Sequence, residues 1–155
     1  MSNLLSKEFE EIRKDLITAY DQKGMRASGK FAESLEVVQV NANRVQLLGE
    51  DYAQQLETGR LAGKFPPIAP IEQWIKDKGI AQRIEGQITV SSLAFLIARK
   101  IAREGWKREG YGGVELISEV ITNERMQKII DKVGAEKAIE FSTQIVGLIN
   151  DLAVV

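Results

Sequence analysis

The chain has 155 residues, a net charge of −1, 44% apolar and 28% charged residues, and neither Cys nor His. That length suits one domain with a sizeable core, and the near-neutral balance gives no general pull toward nucleic acid, membrane or acidic substrate. Without Cys or His, disulfides, Cys/His zinc sites and nucleophilic or general-base chemistry that needs either residue are excluded.

Leu5, Phe9, Ile12, Leu16 and Tyr20 recur at spacings of three and four, one stripe of an amphipathic helix. Glu8, Glu10, Glu11 and Lys14 fall outside that stripe and read as a solvated face rather than a converging carboxylate site. Ser2 or Asn3 can cap its start, and Gly24 sits past its end. The first residues contain no apolar run of the kind a signal peptide needs.

Ala27 to Ser34 is a short connector with room for one helical turn. Leu35 to Val40 and Arg44 to Gly49 are rich in β-branched residues and alternate, so they read as two strands around an Asn41-Ala42-Asn43 turn. A lone hairpin is marginal in water, so helices must cover one face, and its open edges are available to a neighbouring subunit. The fold class is therefore α+β: a small antiparallel sheet, hairpin 35–49, packed by several helices.

A second helix is expected from Glu50 to Thr58, stopped by Gly59. Leu61 to Ala69 is a loop stiffened by Pro66-Pro67, and a stiff segment costs little to order on binding, so Phe65, Pro66 and Pro67 read as an interface. A third helix opens at Pro70 and ends at Gly79, with Ile71, Trp74 and Ile75 on its apolar face and Trp74 in the core. Ile80 to Val90 is a polar connector that can hold a short strand.

The fourth helix starts at a Ser91 or Ser92 cap and ends at Gly105. Leu93 to Ala98 leave almost no polar face, which predicts burial on several sides. Arg99, Lys100, Arg103, Lys107 and Arg108 then form a basic run beside Trp106 and Tyr111. Such a run is either the solvated end of a helix or a contact for DNA or an acidic partner. Gly105, Gly110, Gly112 and Gly113 predict a mobile loop; they follow a helix rather than a strand, so they do not match a phosphate cradle. From Val114 the pattern is helical again. Thr122 caps a helix carrying Met126, Ile129, Ile130 and Val133, which Gly134 breaks or weakens, and Ile139, Phe141, Ile145, Leu148, Ile149 and Leu152 continue to an apolar end. No apolar run reaches the roughly 20 residues of a membrane span.

Four blocks of these residues together resemble a known family. Ser28 to Val37, Tyr52 to Arg60 (Tyr-x-x-x-Leu-Glu-x-Gly-Arg) and Phe65-Pro66-Pro67 with Ile71 to Ile75, followed by Phe95 to Gly105, are similar to the tail-completion, or head–tail joining (neck), proteins of tailed bacteriophages. The resemblance covers residues 28–105. Trp106-Lys107-Arg108 and the long C-terminal region depart from the family's pattern. It implies a virion structural protein assembled in the host bacterial cytoplasm, without catalysis or cofactor and without membrane contact. It also implies a self-assembled ring, commonly sixfold, between the connector or adaptor and the tail tube or tail terminator, with DNA passing through its lumen. The partner-binding residues on this reading are Tyr52, Arg60, Phe65, Pro66, Pro67, Arg99, Arg103, Trp106, Arg108 and Tyr111. Residues 1–113 form the family-like domain, and 114–155 form a helical extension packing on it or on a neighbour. The alternative is a small nucleic-acid-binding or regulatory module using segment 99–108.

Overall fold

The computed structural model describes residues 4–106 and 115–153, and the side chains as far as residue 150. The expected caps at Ser2 and Asn3, most of the glycine loop, including Lys107, Arg108 and Tyr111, and the last two residues lie outside this range.

Helix α1 (Leu4–Gln22) buries Ile12, Leu16 and Tyr20, which sit on one face because their spacing is four. The short α2 (Lys30–Ser34) adds Phe31, and Leu35 follows it. Tyr20 and Phe31 pack as a tilted pair with ring centroids 4.7 Å apart. Strands β1 (Glu36–Asn41) and β2 (Arg44–Leu48) pair antiparallel, with Val37 opposite Leu47 and a bulge between Gln39 and Asn41. The Asn43 backbone N–H donates to Asn41 Oδ1 at 2.9 Å, the side-chain-assisted turn that asparagine favours. α1 lies across both strands, and the sheet has only these two, so each keeps an outer edge unpaired by any described strand. The fold is α+β, as the patterning indicates.

The same core is completed from far along the chain. α7 (Leu116–Val120) contributes Leu116 and Val120, and α8 (Asn123–Ala153) contributes Ile129. Thr122 caps α8, its Oγ1 accepting from the Arg125 N–H at 3.1 Å. Gly134 does not break α8, which runs for 31 residues. Met126, Ile129 and Val133 pack on the core while Ile130 points away from it; beyond Val133 every large apolar side chain through Ile149 is exposed.

A second packing group is built from α4 (Ile68–Asp77), α5 (Ile80–Arg83) and α6 (Val90–Glu104). Ile75, Ala94 and Ala98 are fully buried there. Ala94 and Ala98 are four apart, so they form a flat strip on which α4 can approach closely. This arrangement corrects two expectations. Trp74 is not a core residue: it is 41% exposed, and its neighbour Ile75 takes the buried position. Nor is α6 covered on several sides, because its small residues face α4 while Phe95 and Leu96 remain half exposed. Boundaries move as well. α3 (Ala53–Thr58) starts three residues later than expected. α4 opens at Ile68, with Pro70 in its first turn, where a missing N–H costs nothing. Segment 80–90 holds the helical turn α5 rather than a strand, and the cap of α6 is Thr89, whose side chain accepts from the Ser92 N–H at 3.1 Å.

Candidate partner-binding surface

Segment 60–67 lies as a strap along α6, running antiparallel to it. At one end Arg60 and Trp106 exchange two backbone hydrogen bonds: the Arg60 N–H donates at 2.9 Å and the Trp106 N–H at 2.7 Å. Farther on, the Gly63 N–H donates to the Ala102 carbonyl at 2.8 Å, satisfying one of the four acceptors that a helix C-terminus leaves open. At the other end the Phe65 ring packs on Phe95, centroids 5.8 Å apart. Phe95, Arg99 and Ala102 are spaced four and three, so they form one line along α6 with the strap beside it, and Trp106 follows just past the helix end. Within the strap, Arg60 Nη2 donates to the Lys64 carbonyl at 3.1 Å.

Two glycines make this contact possible. Gly59, at φ +73°, turns the chain out of α3. Gly105 has φ +76°, and a Cβ there would meet the Arg60 carbonyl oxygen at 2.4 Å and the Ala62 nitrogen at 3.0 Å. Only a residue without a side chain permits both the left-handed backbone and the close approach.

The strap displays apolar residues to solvent instead of hiding them. Leu61 is 91% exposed, and Phe65, Phe95 and Leu96 are each roughly half exposed; Pro66 is buried beneath the loop while Pro67 is outside. Arg99, Lys100 and Arg103 are exposed on the second half of α6, with a weak pair from Lys100 to Glu104 at 4.0 Å. The combination is an apolar centre with a basic flank, the composition of a protein-contact surface. Among the described residues no group of three or more His, Cys, Asp or Glu is placed to hold a metal ion. The open depression of about 600 Å³ lined by Ala81, Gln82 and Glu85 to Val90 contains one carboxylate. No helix among the described residues is long and apolar enough to cross a membrane.

Of the residues expected to bind partners, Arg60, Phe65, Pro66, Pro67, Arg99, Arg103 and Trp106 are brought together by the strap. Tyr52 is elsewhere: its ring lies 6.4 Å from Phe31 at the margin of the main core, where partial burial raises its hydroxyl pKa. Leu61, Phe95 and Leu96 are not among the expected partner-binding residues; Leu61 reads as loop, and the other two as buried helix. Glu57 was also missed. Its carboxylate accepts from the Ile117 N–H at 2.7 Å and the Ser118 N–H at 3.1 Å, and from the Ser118 hydroxyl, so it holds the start of α7 against α3.

No protein family, curated protein or solved structure compared with the chain matches it.

Proposed function

We propose that this chain is a head–tail joining protein of a tailed bacteriophage, a non-enzymatic virion component. It assembles with its own copies into a ring between the connector or adaptor and the tail tube or terminator, leaving a lumen through which DNA passes. The observation that carries this reading is the strap. Three segments that resemble the tail-completion family, Tyr52 to Arg60, Phe65 to Pro67 and Phe95 to Gly105, meet along α6 and hold an apolar patch in the open. Its backbone bonds fix the patch before any partner arrives, which lowers the ordering cost of association. A surface of this kind that meets a different face of the next copy makes a heterologous contact, and such contacts give a ring when the rotation between copies closes. The unpaired edges of the hairpin offer a second contact for neighbours.

Leu61→Asp tests the reading, because a side chain 91% exposed contributes almost nothing to the monomer fold. Native mass spectrometry of the wild-type chain, alone and mixed with phage connector proteins, is expected to give closed rings. The variant is expected to lose them while keeping its circular dichroism spectrum. Rings that form unchanged in L61D, or a wild-type chain that never joins any such assembly, would refute it.

One observation favours a second reading, a nucleic-acid-binding module: Arg99, Lys100 and Arg103 lie exposed within two turns of α6. It requires DNA affinity that falls steeply with salt and drops in Arg99→Ala and Arg103→Ala.

A further inference from the structure

The distal half of α8 is a helix without a visible reason to be where it is. From residue 134 onward it leaves the core, yet Ile139, Phe141, Ile145, Val146, Leu148 and Ile149 are all exposed, Phe141 by 65% and Leu148 by 61%. They are not scattered around the helix. At 100° per residue they share one half of its circumference, while Glu136, Lys137, Glu140, Thr143 and Gln144 occupy the other. Within the apolar half, Gly134, Ala138, Phe141, Ile145 and Leu148 follow each other at steps of four, three, four and three, the heptad seam of helix pairing. A second line, Ala135, Ile139, Ser142, Val146 and Ile149, runs beside it at the same steps and widens the face to that of a bundle helix.

We infer that this face is a self-association surface, on which the distal α8 of a second copy of the chain packs antiparallel. Antiparallel pairing puts Ala138 opposite Leu148 and Phe141 opposite Ile145 of the other copy, so that small or medium residues meet large ones in successive layers. Parallel pairing would set Ala138 on Ala138 and Phe141 on Phe141, leaving one layer hollow and the next overfilled. The antiparallel arrangement also carries the two globular bodies to opposite ends of the pair. The polar half raises no barrier to a second copy: its Lys137 and Glu140 already neutralise each other at 2.7 Å. It also disfavours two other occupants. A lipid surface or a nucleic acid calls for a row of Lys and Arg along the helix, and between Gly134 and Asn150 there is one Lys and no Arg. Six large apolar side chains, each between 41% and 68% exposed, line the face of each copy, and two such faces are of the size at which specific interfaces begin, roughly 1,000 Å².

This contact is independent of the ring reading, because an isologous pair closes on itself and cannot propagate around a ring. The test uses the full chain. Sedimentation equilibrium is expected to show concentration-dependent self-association. Phe141→Glu combined with Leu148→Glu is expected to abolish that association while matching the thermal midpoint of the wild-type chain at dilutions where it is unpaired, since neither side chain packs on the core. The absence of native Cys gives the orientation directly. Ser142→Cys copies, close to the twofold axis, are expected to be joined by a short bifunctional maleimide. Ala135→Cys copies are not, because they stand roughly 24 Å apart along the pair at 1.5 Å rise per residue. A chain that stays monomeric at high micromolar concentration, or that associates equally well as the double variant, overturns the inference. So does equal cross-linking at both positions, or association only with anionic lipid vesicles or DNA.

Discussion

Gly105→Ala is the sharpest perturbation that the geometry offers. The added methyl meets the Arg60 carbonyl oxygen at 2.4 Å and the Ala62 nitrogen at 3.0 Å, and both are backbone atoms that no rotamer change can move aside. The strap must lift by about an ångström, which breaks the 2.7 Å and 2.9 Å bonds between Arg60 and Trp106. Two lost backbone bonds at about 1 kcal/mol each, plus about 1–2 kcal/mol for an L-residue at φ +76°, make roughly 3–4 kcal/mol. That is large, yet smaller than the stability of most domains, and the main core has no member in the strap. The expected result is therefore local. Amide exchange accelerates at Arg60, Gly63 and Trp106, while amides around Leu16 and Ile129 keep their protection. Gly134→Ala is the control: nothing lies within 4 Å of its added methyl, and the helix passes straight through it, so stability rises by about 1 kcal/mol. Urea unfolding followed by tryptophan fluorescence and by circular dichroism separates the two. If Gly105→Ala left the amides of Arg60 and Trp106 as protected as in wild type, the strap would not be the rigid element argued for here.

Two further outcomes follow from the main core. Glu57→Ala strips the acceptor from three donors at the start of α7 and is expected to cost about 1.5–3 kcal/mol, with Glu57→Gln losing less; the urea midpoint at constant slope measures both. Burial raises the pKa of Tyr20 and of Tyr52 above the ordinary tyrosine value of about 10, so the folded state holds those protons more tightly than the unfolded chain. Their contribution is complete below about pH 10 and is lost as pH climbs through the folded values. Tyr20→Phe is expected to flatten that alkaline decline, as seen in unfolding midpoints set against the tyrosinate absorbance.

What the sequence disclosed depended on whether a residue's environment was local. The α1 stripe, the Asn41-Ala42-Asn43 turn and the Thr122 cap are set by neighbours a few residues away, and each is found where the pattern put it. Trp74 and α6 failed for a different reason. An apolar side chain reads the same whether another helix covers it or nothing does, and which face α4 covers is decided by the Ala94 and Ala98 strip. The caps at Ser91 and Ser92 missed by two or three residues because three hydroxyl residues, Thr89, Ser91 and Ser92, stand within four positions and the first of them is the cap. The strap itself rests on backbone bonds between residues some forty apart, and its only local trace is a glycine on the N-terminal side of both Arg60 and Trp106. The partner-binding residues gathered there were legible as types; their common address was not.

The two exposed apolar surfaces differ in how they can be used. The strap is fastened at both ends before it meets anything, so any contact it makes is limited by fit, and on the proposed reading that contact is heterologous and closes a ring. Distal α8 is the opposite case. A helical segment of this length is marginal in water without a covered face, so its helicity and its pairing rise together. A self-terminating pair and a self-propagating ring compete for the same pool of chains only if one arrangement blocks the other. Because the seam from Gly134 to Leu148 and the strap share no residue, both contacts can be made by one copy, and their relative strengths decide which forms first. On this view, weakening the α8 seam should leave ring closure intact, whereas charging Leu61 should leave the pair intact, and crossing the two sets of variants measures any coupling between them.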